Sequence, residues 1–147
     1  MIHKIKIFWL GSIILLTACS IEPKKINYGE DHCHYCDMTI VDKTHVSEYV
    51  TNKGKSFKFD AIECMIHEIN QKNNLNNLAY VLVANFNKPG ELIDARNATY
   101  LVSKEIKSPM GANLSAFNSK EQGLAAQKKY GGELYNWSQM SKKLGTK

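Results

Sequence analysis

Arginine is nearly missing from this chain: of its 19 basic residues only Arg96 is an arginine, and the lysines form neither a cluster nor a stripe. A formal net charge of +5 spread in this way is ordinary solubility charge, and it excludes a nucleic-acid-binding surface. No Ser-His-Asp arrangement, glycine-rich phosphate loop or paired-carboxylate motif is legible, so the sequence lends no support to catalysis and an enzyme is not expected. Long apolar runs are lacking too. The stretch Ile7 to Leu16 is ten residues, well short of the roughly 20 that a helix needs to cross a bilayer. Cysteine is sparse, with four in 147 residues, yet two of them stand three positions apart.

The short apolar run follows Lys4 and Lys6 and ends at Leu16-Thr17-Ala18-Cys19. This is the layout of a bacterial secretory signal closing on a lipobox, with residues 1–18 removed and Cys19 lipidated as the new N-terminus. Lipid carbon contributes roughly 0.8 kcal/mol per buried methylene, and two or more acyl chains (palmitate among them) anchor a protein stably. The expected location is the periplasmic side of a bacterial membrane, on its surface. The remaining 129 residues carry 17 basic and 14 acidic side chains, a length that suits one domain or two very small ones. Residues 19–31 contain Pro23 and Gly29 without apolar periodicity and read as a lipidated tether. The domain is expected over 32–147.

Within Glu30-Asp31-His32-Cys33-His34-Tyr35-Cys36-Asp37-Met38-Thr39 the chain gathers two thiols, two imidazoles and a thioether. Thiolate and thioether sulfur are soft donors that favour Cu(I), whereas thiolate with imidazole suits zinc about equally well; Met38 tilts the reading toward copper. Once Cys19 carries lipid, Cys33, Cys36 and Cys64 remain. An odd count argues against a purely disulfide framework, although a Cys33–Cys36 bridge is an available resting state.

Further along, Val46 to Thr51 and Lys55 to Phe59 alternate around Asn52-Lys53-Gly54 and predict a hairpin. Asp60 with Glu63 offers a cap for a helix whose buried stripe is Ile62, Met65, Ile66 and Ile69. Tyr80 to Phe86 reads as a strand, Asn87 to Gly90 as a turn, and Leu92 to Ala95 and Thr99 to Val102 as a further pair. The order then repeats more faintly: a strand at Leu114 to Phe117, a helix capped by Ser119 and Gln122 and closed by Gly131-Gly132, an edge strand at Leu134 to Trp137, and a frayed terminal turn at Ser138 to Leu144. Phe59-Asp60 and Phe117-Asn118 occupy similar places before the two helices. An α+β protein with two related small sheets follows, its halves at roughly 32–87 and 88–147.

Four segments together resemble the NosL family, the copper-binding accessory lipoproteins of nitrous oxide reductase assembly. They are Leu16 to Cys19, the Cys-His-Tyr-Cys-Asp-Met run at 33–38, Phe59-Asp60-Ala61-Ile62-Glu63-Cys64-Met65, and Ser108-Pro109-Met110-Gly111 with the strand ending Ala116-Phe117. The resemblance implies two ββαβ units related to the fold of organomercurial lyase. It also implies a copper chaperone for denitrification that receives Cu(I) in the periplasm and passes it toward the copper centre of nitrous oxide reductase, with an ABC-type membrane complex as partner. The family's Tyr-Cys-x-Met segment falls on Tyr35, Cys36 and Met38, and its Pro-Met-Gly segment on Pro109, Met110 and Gly111. Where many members have glycine between Cys and Met, this chain has Asp37.

The candidate metal ligands are therefore Cys36 and Met110, joined by Cys33, Met38 and His34, with Cys19 as the lipidation site. Met38 has a rival role as a core residue of a strand over Met38 to Val41, and Cys64 is expected to be buried with at most a spare donor role. His45 and His67 are expected at the surface, and Met140 carries no signal. Two other readings stand beside the copper carrier: a thiol-disulfide redox lipoprotein using Cys33 and Cys36, and a structural zinc site built from Cys33, Cys36, an adjacent histidine and Cys64.

Overall fold

The computed structural model describes residues 20–145. The signal segment 1–18 and Cys19 lie outside the described residues. In the first half a hairpin of β1 (Ser47–Thr51) and β2 (Ser56–Phe59) leads into helix α1 (Ile62–Lys72), and β3 (Leu78–Ala84) returns to pair with β1. A fourth strand, β4 (Leu92–Asp94), adds to β3 and gives the antiparallel order β2-β1-β3-β4. The second half repeats the pattern with β5 (Thr99–Val102), β6 (Leu114–Phe117), helix α2 (Lys120–Tyr130) and β7 (Glu133–Tyr135), in the order β6-β5-β7. In each half the first hairpin strand is central and the strand after the helix flanks it. The α+β class with two ββαβ units is thus what the chain forms, and β4 moves the division between the sheets to the turn after Asp94.

Equivalent registers reinforce the repeat: Phe59 pairs with Ser47 at the start of β1, and Phe117 pairs with Thr99 at the start of β5. The halves join where Asn85 forms a parallel bridge to Ala116 and the Phe86 N–H donates to the Ala116 carbonyl. Helix α1 lies between them. It touches β1 and β2 on one side and β6 and helix α3 (Trp137–Gly145) on the other. Its apolar stripe Ile62, Met65, Ile66 and Ile69 is buried as the spacing predicts, and Glu63, Cys64 and Glu68 are buried as well because the opposite face is also covered. The core continues through Tyr49, Phe59, Tyr100, Trp137 and Met140.

Several expectations change. Residues 138–144 are part of α3, with Asn70 of α1 donating to the Ser141 carbonyl and accepting from the Ser141 hydroxyl, and Met140 is a core residue. Packing stabilises a segment whose sequence carries little helical signal. Met38 to Val41 is not a strand; only the bridge between His32 and Thr39 forms there. Asp60 does not cap α1, whose N-cap is Ala61 without a side-chain bond, whereas Ser119 accepts from the Gln122 N–H as expected for α2. His45 is buried at 2% exposure.

The tether is also shorter than its composition suggests. From Lys24 onward it lies on the face of the first sheet opposite α1, where the Lys24 N–H donates to Oε1 of buried Glu48 and Lys58 Nζ donates to the Lys25 carbonyl. Ile26 joins Ile40, Val46 and Ala84 in a small buried cluster. Truncating a buried isoleucine costs about 2 kcal/mol or more. Ile26→Ala is therefore expected to lower the unfolding free energy by that amount, read as a lower urea midpoint at unchanged m-value, and wild-type stability would show that this segment is not part of the fold.

Candidate metal centre

The segment that carries Cys33 and Cys36 is a closed turn pinned to an edge strand. The Asp37 N–H donates to the Cys33 carbonyl at 2.9 Å, the Cys33 N–H to the Met38 carbonyl at 2.8 Å, and the His34 N–H to the Lys58 carbonyl of β2 at 2.8 Å. Asp37 closes the turn with φ +64°, the left-handed conformation that glycine adopts freely and that Asp tolerates better than most side chains. A glycine-bearing sequence and this one therefore reach the same turn. Lys58 adds an ion pair to Asp31 at 2.6 Å.

Four side chains from two parts of the chain converge beneath that turn. Sulfur atoms of Cys33, Cys36 and Cys64 and a carboxylate oxygen of Asp60 all lie within 4.8 Å of one another. Asp60 directly follows β2 and Cys64 stands four residues on, in the first turn of α1. Cys33 and Cys64 are 2% and 0% exposed, and Cys36 is half-buried; all three are free thiols. Cys36 donates to Asp60 Oδ1 at 3.5 Å, while Asp60 Oδ2 is buried without a hydrogen-bond partner. A buried carboxylate oxygen with nothing to accept is uncommon. Oxygens of Glu48 and Glu63 share that state, and what sets Asp60 apart is the three thiols beside it, which together with it could hold a cation.

The three thiols differ in acidity. A hydrogen bond from Cys64 lowers Cys33 to about 7 against the cost of burial, with the backbone N–H groups of Asp60 and Cys36 adding to the effect. Burial pushes Cys36 up to about 11, and the Cys33 and Asp60 charges push the same way. Cys64, as the donor to Cys33 and itself buried, is raised well above the ordinary thiol value. The metal-free cluster thus holds one thiolate and two thiols near neutral pH, and taking up an ion through all three sulfurs releases protons.

Met110 reaches the same neighbourhood from the second half. The loop between β5 and β6 is held against α1 by Glu63, whose Oε1 accepts short from Ser108 Oγ and at 3.2 Å from the Ala112 N–H; Ser108 Oγ in turn accepts from the Asn113 N–H. Met110 is 43% exposed and lines a cleft of about 420 Å³ together with Tyr35, Glu63, Cys64 and His67. Cys64 therefore belongs both to the thiol cluster and to the cleft wall. Tyr35 stacks on His67 at 5.8 Å across it. Met38 is 46% exposed, which removes its rival role in the core. His34 is not among the four convergent side chains; its Nε2 lies 3.3 Å from Glu68 and its ring packs on Phe57.

Taken singly, Asp60 suits a helix cap and Cys64 the core; the signal that joins them is their spacing. Positions i and i+4 fall on one side of a helix and its entry. A second unanticipated arrangement is a chain of Asp42, His45 and Ser115, with His45 Nδ1 2.7 Å from Asp42 and Nε2 3.3 Å from Ser115 Oγ. Ser115 is fully buried in β6, so its hydroxyl faces no solvent. The chain ties the first half to the second, and its Ser-His-Asp order carries no route for a substrate.

Known proteins agree with this architecture. The NosL family model matches residues 23–144. A curated relative, the copper-binding lipoprotein NosL of Stutzerimonas stutzeri, is 29% identical over 161 aligned residues that span 97% of this chain and 84% of the relative. A crystal structure of the copper chaperone NosL from Shewanella denitrificans matches with a TM-score of 0.70 at 23% identity, covering 81% of this chain and 95% of that one, which shows a shared fold. A match of the family model over most of the chain, on a fold of the same kind, places this chain in the NosL family.

Proposed function

We propose that this protein is a lipid-anchored Cu(I) carrier on the periplasmic side of a bacterial membrane. It would hand copper to the assembly of the nitrous oxide reductase copper centre, with an ABC-type maturation complex as docking partner. The observation that carries the reading is the convergence of three thiols and an unpartnered carboxylate at the wall of a cleft that also holds Met110. Sulfur donors suit Cu(I). Cys33 and Cys64 supply the buried side of the site, Cys36 the half-buried side, and Met110 a thioether at the mouth where an incoming or departing ion passes. Few donors, open on one side, allow stepwise exchange with a partner; a site closed on all sides retains its metal.

In the zinc alternative Asp60 takes the place expected for an adjacent histidine, since three cysteines and an aspartate complete a tetrahedral shell. The redox alternative is weakened by the distribution of acidity. A catalytic redox thiol is both acidic and accessible, whereas here the acidic Cys33 is buried and the more accessible Cys36 is raised.

Anaerobic titration of the reduced protein with Cu(I) and with Zn(II), each against a competing chelator, separates the first two. About one Cu(I) bound tightly per chain with weak Zn(II) is expected; preference for Zn(II) would replace the carrier with the structural site. Cys36→Ser is expected to abolish tight Cu(I) binding, and Met110→Ala to weaken it with the fold intact, because an exposed loop methionine buries little. Unchanged affinity in both variants would remove these ligands.

The pH dependence has a definite sign. Cys33 is already ionised above about 7, while Cys36 holds its proton to about 11 and Cys64 beyond the ordinary range. Apparent metal affinity should therefore rise steadily from neutral pH upward as proton competition falls. A flat profile between about 7 and 9 would mean that neither protonated thiol becomes a ligand.

A further inference from the structure

The end of the domain from which the N-terminal segment departs differs in character from the end that holds the thiols. β2 runs from the hairpin turn at Asn52 to Lys55 toward Phe59 and Asp60, and α1 then runs back, so the turn and the metal centre occupy opposite ends of the first sheet. Five residues of strand, at about 3.3 Å each, separate Lys55 from Asp60 by roughly 17 Å. The N-terminal segment runs over the outer face of this sheet: the Lys24 N–H is fixed to the Glu48 carboxylate near the start of β1, and Ile21 reaches the hairpin turn, its side chain 3.9 Å from where a Cβ on Gly54 would stand. Only residues 20–23 separate Lys24 from Cys19. An extended chain covers at most about 3.6 Å per residue, so a lipidated Cys19 can stand no more than roughly 18 Å from Lys24.

The surface at that end has the matching chemistry. Lys24, Lys53 and Arg96 are exposed there, with Ile21 and Tyr80 as exposed apolar side chains among them, whereas the Lys55 ammonium turns back over Phe57 toward the cysteine turn. The nearby acids are Glu22 and Asp94, and Asp94 is engaged by the Arg96 N–H and by Asn97. The fold places Arg96 beside this end by a bond from its guanidinium to the Leu78 carbonyl at the start of β3.

We infer that the β1–β2 turn with Lys24, Lys53 and Arg96 is a docking surface for anionic lipid headgroups, which holds the domain on the membrane with the thiol cluster pointing away. The inference rests on the lipid anchor proposed above. A basic side chain brought to an anionic surface contributes about fivefold in partitioning, and the short leash keeps these cations within reach of the headgroups. Ile21 and Tyr80 enter the interface as apolar and amphipathic side chains do. Oriented in this way, the copper site stands clear of the lipid by the length of the sheet and faces partners rising from the membrane.

Hydrogen exchange of the lipidated full-length chain tests this on phosphatidylcholine vesicles with and without about a quarter phosphatidylglycerol. Added protection on the anionic vesicles is expected at the amides of 21–24 and 52–55, none is expected at 32–37, and Lys24→Glu with Lys53→Glu should remove it while the protein stays on the vesicles. Equal exchange on both vesicle types, uniform protection, or protection at the cysteine turn would overturn the surface. Loss of the wild-type chain from both vesicle types, matching a Cys19→Ser control, would overturn the anchor itself and the orientation with it.

Discussion

The bond from the His34 N–H to the Lys58 carbonyl, reinforced by Lys58 on Asp31, is the constraint on which the site depends. Two of the three sulfurs belong to a turn with no regular structure of its own, and backbone pairing to the edge of β2 is what fixes that turn over the start of α1. Asp60 and Cys64 arrive on the next few residues of the same strand and helix. The donors thus share one short stretch of rigid framework, and the distances among them follow from strand and helix geometry more than from side-chain flexibility.

Burying such a cluster is costly unless its charges are balanced. In the metal-free protein the proton of a second thiol and backbone N–H groups offset part of that cost at Cys33, whereas the unpartnered oxygen of Asp60 leaves part of it standing. An incoming ion replaces protons with a charge that satisfies the same atoms. Opening is confined to one side, where Cys36 is half-buried and the cleft with Met110 begins.

The duplicated topology lets one half supply the thiol cluster and the other the part of the cleft wall that carries Met110. In the first half the hairpin turn is short and the strand end carries Asp60; in the second, Asn118 and Gln122 stand in the corresponding places, and the hairpin loop is expanded to residues 103–113. That expansion delivers Met110. Glu63, adjacent to Cys64 in sequence, holds the expanded loop, so a single turn of α1 presents one thiol and positions Met110. The buried link from Asp42 through His45 to Ser115 and the bridge at Asn85 keep the halves from sliding apart.

Local signals determined a good deal of this protein by themselves. Alternation set the first hairpin, the i, i+3, i+4, i+7 stripe set α1, Ser119 set the start of α2, and the sulfur-rich segment marked the chemistry, because each depends on neighbours within a few residues. What lay beyond reach depends on contacts between distant segments. Nothing near Met140 predicts a helix that forms by packing on α1; nothing near Ile26 shows that a polar-looking tether covers a sheet face; and His45 is buried only because Asp42 and Ser115 meet it there. The same holds at the site. Asp60 and Cys64 each have a bland local role, and only the pinned turn of Cys33 and Cys36 turns them into donors, since a metal centre is a property of converging side chains rather than of any one segment.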